Sequence, residues 1–169
     1  YNKGVLTPNI IEKVIQSANT KGILTIVDPK KKNFLSYKNC SIFKPNLKEI
    51  KGGLNIEFDS NNNVELENAS KILREKLNVK GVLLTLSERG ICIKTEDDFT
   101  HTPAFKRNIV DVSGAGDTVI SVASILLASE INYKDLSIIS ALAGGLVCEE
   151  VGVVPINKEN LLKEIKNIY

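Results

Sequence analysis

The stretch Asp111-Val-Ser-Gly-Ala-Gly-Asp117 carries the residue types and the spacing needed to handle an anion. Gly114 and Gly116 lead straight into an apolar run from Val119 to Ala128, so a helix is expected to open directly behind a glycine-rich loop. The first backbone N–H groups of a helix have no partner inside it, and they sit at the positive end of its dipole. Glycine lets a phosphate approach such groups without meeting a Cβ. The N–H groups of Gly114, Ala115 and Gly116 are therefore candidate donors, and Asp117 falls in the first helical turn. A carboxylate beside a bound phosphoryl group repels it, which suits plain binding poorly. It suits a base that takes a proton from an attacking hydroxyl. A purely structural reading stands beside this one, with Ser113 as N-cap and Asp117 as an acidic residue favoured by the dipole. The loop lacks the Gly-Lys-Ser/Thr ending of a Walker A loop, and it is not a GxGxxG fingerprint.

Other candidates are shorter. Asn46 and Glu49 have the spacing of a capping box at the start of a helix. Thr85, Ser87 and Gly90 follow an apolar run and would lie beyond a strand's carboxyl end, where α/β folds bind ligands, or in an ordinary hairpin turn. Lys3 and Lys30 could neutralise a phosphate or stand as solvated surface charges, and Lys30 to Lys32 is a charge run without aromatic interleaving. Cys40, Cys92 and Cys148 lie far apart, and with His101 as the single histidine they make no standard zinc site. They read as reduced core thiols of a cytoplasmic protein.

These residues need a scaffold. Thr7-Pro8 opens a helix in which Ile10, Ile11, Val14, Ile15 and Ala18 share a face, and Gly22 suits its end. Gly22 to Asp28 reads as a strand buried on both faces and stopped by Pro29, and Ser41 to Lys44 as a second short strand before a helix start at Pro45-Asn46. Asn61, Asn62 and Asn63 mark a turn before an amphipathic helix through Leu66, Ala69, Ile72, Leu73 and Leu77. Gly81 to Leu86 is another buried strand, Gly90 to Lys94 its hairpin partner, and Phe99 to Phe105 a further strand. The Val119 run predicts a buried helix. Another helix from Lys134 to Glu150 carries Ala141, Ala143, Gly144 and Gly145 for close packing, and a last one, capped by Asn157, uses Leu161, Leu162, Ile165 and Ile168. The order predicts an α/β fold: a mostly parallel sheet with helices on its faces and some antiparallel strands at one side.

Composition narrows the classes. With 169 residues, 43% hydrophobic and 25% charged, one soluble globular unit is expected and disorder is not. Twenty-two basic against 20 acidic residues leave +2 without a basic block, which argues against nucleic-acid binding. No run reaches the roughly 20 apolar residues of a bilayer span, so no membrane partner is expected. There is no methionine, the chain opens at Tyr1, and no charged segment precedes an apolar one there. It reads as starting inside a longer sequence.

Taken together, Asp111 to Asp117 resembles the C-terminal signature of the ribokinase-like (PfkB) sugar kinases, and three more segments match in order. Pro45-Asn46-Leu47-Lys48-Glu49 resembles the family's Asn-x-x-Glu segment, Thr85 to Gly90 its nucleotide loop, and Glu150-Val151-Gly152 the loop after its penultimate helix. Tyr1 to Gly4, Val27 to Lys30 and Thr118-Val119 look most like the bacterial heptose 7-phosphate kinases, the first domain of bifunctional enzymes making ADP-heptose for lipopolysaccharide.

The resemblance implies a three-layer α/β/α fold, of which residues 1–169 would be the C-terminal, nucleotide-binding half, without the N-terminal half and lid. It implies ATP and Mg²⁺, a sugar-phosphate acceptor and, for the full-length protein, a homodimer. Asp117 is then the catalytic base, with the N–H groups of Gly114, Ala115 and Gly116 as anion hole. Asn46 and Glu49 serve Mg²⁺ and the phosphates through water, and Thr85, Ser87 and Gly90 follow the nucleotide; many relatives have glycine where this chain has Ser87. Asp111 and Ser113, with carbonyls at Val147, Glu150 and Gly152, match a K⁺ site, although Glu150 replaces a commonly basic residue. The acceptor implied is O1 of a D-glycero-D-manno-heptose 7-phosphate. Alternatives are a kinase of the same family acting on fructose phosphate, ribose or a nucleoside, or a catalytically incompetent nucleotide-binding fragment.

Overall fold

A computed structural model describes residues 4–169. The chain divides into two compact units, Tyr1–Leu86 with Cys92–His101, and Ser87–Ile91 with Thr102–Tyr169.

The first unit opens with helix α1 (Pro8–Thr20), where the Thr7 side chain accepts the N–H of Ile10 and Pro8 occupies a position whose missing N–H has no helical partner anyway. Strands β1 (Ile26–Val27), β2 (Ile42–Phe43), β3 (Gly81–Thr85), β4 (Ile91–Lys94) and β5 (Phe99–Thr102) form one sheet in that order. The first three are parallel, with Ile26 opposite Ile42 and Ile42 opposite Gly81. Helices α2 (Leu47–Leu54) and α3 (Asn63–Leu77) make the crossover from β2 to β3. Residues 86–90 join β3 to β4 and residues 95–98 join β4 to β5. Parallel neighbours need a crossover of about a dozen residues, so both connections are hairpins and the sheet is mixed. Ile42, Phe43, Val82, Leu83 and Leu84 are fully buried, and Ile50, Leu66, Leu73 and Leu77 come in from the two helices. Phe34 meets Phe43 edge to face with ring centroids 5.1 Å apart. Each such side chain contributes about 1.5–3 kcal/mol through burial.

The second unit holds α4 (Ala115–Ala128), α5 (Tyr133–Val147) and α6 (Lys158–Lys166). The small residues of α5 serve close packing as expected: a Cβ on Gly144 would lie 2.7 Å from Val119 Cγ2 of α4.

Several expectations need correction. The strand expected over 22–28 is only Ile26–Val27. Gly22, at φ 66°, belongs to the end of α1, and the Ile23 N–H turns back to the Ala18 carbonyl, which leaves Ile23 and Leu24 exposed. The apolar face of α1 is narrower than its sequence suggests, because Ile11 and Ile15 are buried while Ile10 and Val14 are exposed. Ile72 of α3 and Ile125 of α4 also face outward. The last strand stops at Thr102, and α6 has no fully buried residue. No helix among the described residues is long and apolar enough to cross a membrane. The three cysteines are buried and form no disulfide.

Candidate active site

In the first unit the candidates gather at the carboxyl ends of the parallel strands. Asn46 extends the β2 line far enough to bridge to Thr85, and the Thr85 N–H donates to the Pro45 carbonyl at 3.1 Å. Asn46 then caps α2: its Oδ1 accepts the Glu49 N–H at 2.9 Å, and its own N–H donates to Glu49 Oε2 at 2.8 Å. The capping box is therefore complete. Glu49 Oε1 has no partner among the described residues. A half-exposed carboxylate oxygen of this kind suits Mg²⁺, which keeps several waters and needs few protein ligands.

Lys30 is held by Asp28, Nζ to Oδ2 at 3.1 Å. The other Asp28 oxygen receives Lys44 Nζ at 3.0 Å, and Lys44 is 3% exposed. Sequence reasoning gave neither Asp28 nor Lys44 a role of its own. The signal was available, since Lys44 ends an otherwise apolar strand and a buried ammonium needs a carboxylate. Lys3 lies outside the described residues.

In the second unit Ser87 and Gly90 form a single tight turn. Ser87 is left-handed at φ 54°, and the Gly90 N–H closes on its carbonyl at 3.0 Å. Gly90, at φ 90°, has a structural reason of its own, because a Cβ there would sit 2.1 Å from the Thr102 carbonyl oxygen.

The loop before α4 is built by Asp111. Its Oδ1 accepts the Ser113 N–H and its Oδ2 the Gly152 N–H, each at 2.9 Å. The Ser113 N–H, the Ser113 hydroxyl and the Gly152 N–H together hold the Asp111 carboxyl below its ordinary range. The N-cap is Gly114, not Ser113, at φ 79° and without any side-chain cap. The N–H of Ala115 is engaged by the Val112 carbonyl at 3.3 Å. Those of Gly114, Gly116 and Asp117 have no acceptor among the described residues, so the open donors are this set and not Ala115. Asp117 is exposed in the first turn of the helix they start.

Of the carbonyls expected to hold a cation, that of Val147 receives the Glu150 N–H at 3.3 Å as α5 unwinds. Those of Glu150 and Gly152 accept nothing among the described residues, while Gly152 is tied to Asp111 through its N–H. Oxygen donors of this type fit a hard monovalent cation. No cluster of three or more His, Cys, Asp or Glu suited to a metal ion occurs among the described residues.

Residues 3–160 match the model of the pfkB family of carbohydrate kinases. The bifunctional protein HldE of Aliarcobacter butzleri is 38% identical over 152 residues, which cover 90% of this chain and 31% of that protein. HldE of Koribacter versatilis is 34% identical over 165 residues, covering 98% and 34%. The structure of phosphofructokinase-2 from Escherichia coli in complex with potassium superposes with a TM-score of 0.87 at 18% identity, over 96% of this chain and 53% of that one. Ribokinase from Thermotoga maritima gives 0.73 at 23%, over 93% and 54%. The fold is the ribokinase-like α/β fold. The chain spans about a third of the length of these curated relatives and about half of these solved kinases. On its sequence, the chain belongs to the pfkB family of carbohydrate kinases.

Proposed function

We propose that the chain is the nucleotide-handling half of an ATP-dependent sugar kinase whose acceptor is O1 of a D-glycero-D-manno-heptose 7-phosphate, in the supply of ADP-heptose for lipopolysaccharide. The observation that carries the kinase reading is the uncapped N-terminus of α4, with open N–H groups at Gly114 and Gly116 and an exposed Asp117 in the same turn. The heptose reading is supported by the resemblance of residues 1–4, 27–30 and 118–119, and by relatives that are bifunctional HldE proteins.

Asp117 takes the proton from the acceptor hydroxyl as its oxygen forms a bond to the γ-phosphorus. The bond from that phosphorus to the bridging oxygen breaks, and ADP leaves. The α4 N–H groups stabilise charge on the transferred phosphoryl oxygens. Mg²⁺, when bound, neutralises phosphate charge, and Asn46 and Glu49 are the residues that would hold its waters. Thr85, Ser87 and Gly90 are the residues that would follow the nucleotide, Lys30 would serve a phosphate only on leaving Asp28, and Asp111 and Ser113 with the carbonyls of Val147, Glu150 and Gly152 are those that would hold K⁺. The protein acts as a homodimer in the cytoplasm.

The test is ADP release by the full-length gene product with ATP-Mg²⁺ and heptose 7-phosphate, fructose 6-phosphate, ribose or adenosine, repeated on Asp117→Asn. Heptose-dependent release lost in the variant supports acceptor and base together. Release with another acceptor removes the heptose reading, and ATP binding without turnover removes the kinase reading in favour of a non-catalytic nucleotide binder.

A further inference from the structure

The loop that presents Asp117 follows a segment, residues 103–109, with neither helix nor strand to hold it. Arg107 lies in its middle, yet its side chain is only 8% exposed. Nη1 lies 3.0 Å from Glu149 Oε2 and Nη2 lies 2.7 Å from Glu164 Oε2. The stem runs over α5 at a glycine, since a Cβ on Gly145 would be 3.1 Å from Arg107 Cδ.

The two carboxylates do different things. Glu164 belongs to α6. Glu149 follows Cys148, whose carbonyl accepts the N–H groups of Val110 at 2.8 Å and Asp111 at 3.2 Å. Three residues further on, the Gly152 N–H reaches Asp111 Oδ2. Arg107–Glu149 is thus the first of three successive links between residues 107–111 and 148–152, and the first of these segments runs directly into Gly114.

We propose that Arg107, through its Glu149 arm, is a positioning residue for phosphoryl transfer: it sets the register of the loop that holds the α4 donors and Asp117, while its Glu164 arm only anchors α6. The proposal rests on the kinase reading for its catalytic consequence, not for the loop order itself. Each glutamate can be neutralised while the arginine keeps the other, so neither change strands a buried charge. The Glu164 contact is the shorter, so stability alone predicts that its loss is the more damaging. Positioning predicts the opposite order in turnover.

The experiment compares Glu149→Gln, Glu164→Gln and Arg107→Lys in the full-length protein. Three quantities are measured: kcat and KM for ATP, thermal midpoint, and amide hydrogen exchange over residues 109–116. Glu149→Gln is expected to lower kcat by about 10- to 100-fold with little change in KM, as misplacement of a reacting group does. It should also speed exchange in the loop. Glu164→Gln should lower the midpoint at least as much and leave kcat and loop exchange unchanged. Arg107→Lys, which cannot fork to two carboxylates, should fall between them in kcat. Equal effects of the two glutamine variants on loop exchange, or an unchanged kcat in Glu149→Gln, overturn the proposal. If the unmodified protein phosphorylates no sugar, the kinase reading falls, and the exchange comparison still decides the role of Arg107.

Discussion

Helices α2 and α4 begin in opposite ways. The start of α2 is closed by its own side chains, with Asn46 and Glu49 each satisfying the other's backbone N–H. The start of α4 is left open, on a left-handed Gly114 with no side chain to cap it. The other described helices are capped by Thr7, Asn62, Asn132 and Asn157. A closed terminus is a device for stability, typically about 1 kcal/mol. An open one forgoes that, and its donors remain available to whatever anion arrives. The difference teaches where to expect stability to change on mutation and where to expect rate to change.

The strongest way to break this comparison is Asp117→Asn, which should lower kcat by about 10²–10⁴ with the thermal midpoint nearly unchanged. A large loss of stability instead would make α4 a structural terminus like the rest. Gly114→Ala forces a Cβ into the left-handed region and to within 2.9 Å of Val153 Cγ1. It should cost about 1–2 kcal/mol in denaturant unfolding and reduce kcat as well. Asn46→Ala should cost about 1 kcal/mol through the lost cap; a rise in KM for ATP beyond that would show that the closed terminus also faces the nucleotide. Ser87→Gly relieves a left-handed serine and should stabilise by about 0.5–1 kcal/mol, read from the urea midpoint. The smallest effect is on pH. Asp111 is lowered in the folded chain, so its contribution to stability is complete above the ordinary carboxylate range near pH 4 and is lost as pH falls through the lower folded value. The amide resonances of Ser113 and Gly152 should report that titration below the usual aspartate range.

Both termini are legible in the sequence, but unequally. The capping box at Asn46 and Glu49 is a pattern three residues apart, and such local chemistry is written in the sequence directly. At α4 the glycines and Asp117 were equally local. The resemblance brought Asp111 and Gly152 together only as parts of a K⁺ site; what no local pattern shows is that Asp111 takes the Gly152 N–H itself, 41 positions away, and that Arg107 reaches two carboxylates on separate segments. Periodicity also overstated burial. Ile10, Val14 and Ile72 share a helical face with core residues and are nevertheless exposed, because a stripe at helical spacing says which residues share a face and not how wide a face the sheet can cover. The strand at β1 was overstated for a related reason: Ile23 is a good strand former, but its N–H is already taken by the end of α1.

The missing side chain at Gly144 has a consequence for how this sequence can vary. Val119, two positions after Asp117, occupies the space that a Cβ at 144 would need. Close packing at this point helps set the axis along which α4 aims its first turn. A methyl group added at 144 alone pushes that axis aside, whereas the same methyl added together with a shortening of Val119 leaves it in place. The two positions are coupled sterically, so a side chain at 144 and a full valine at 119 exclude each other in the present packing.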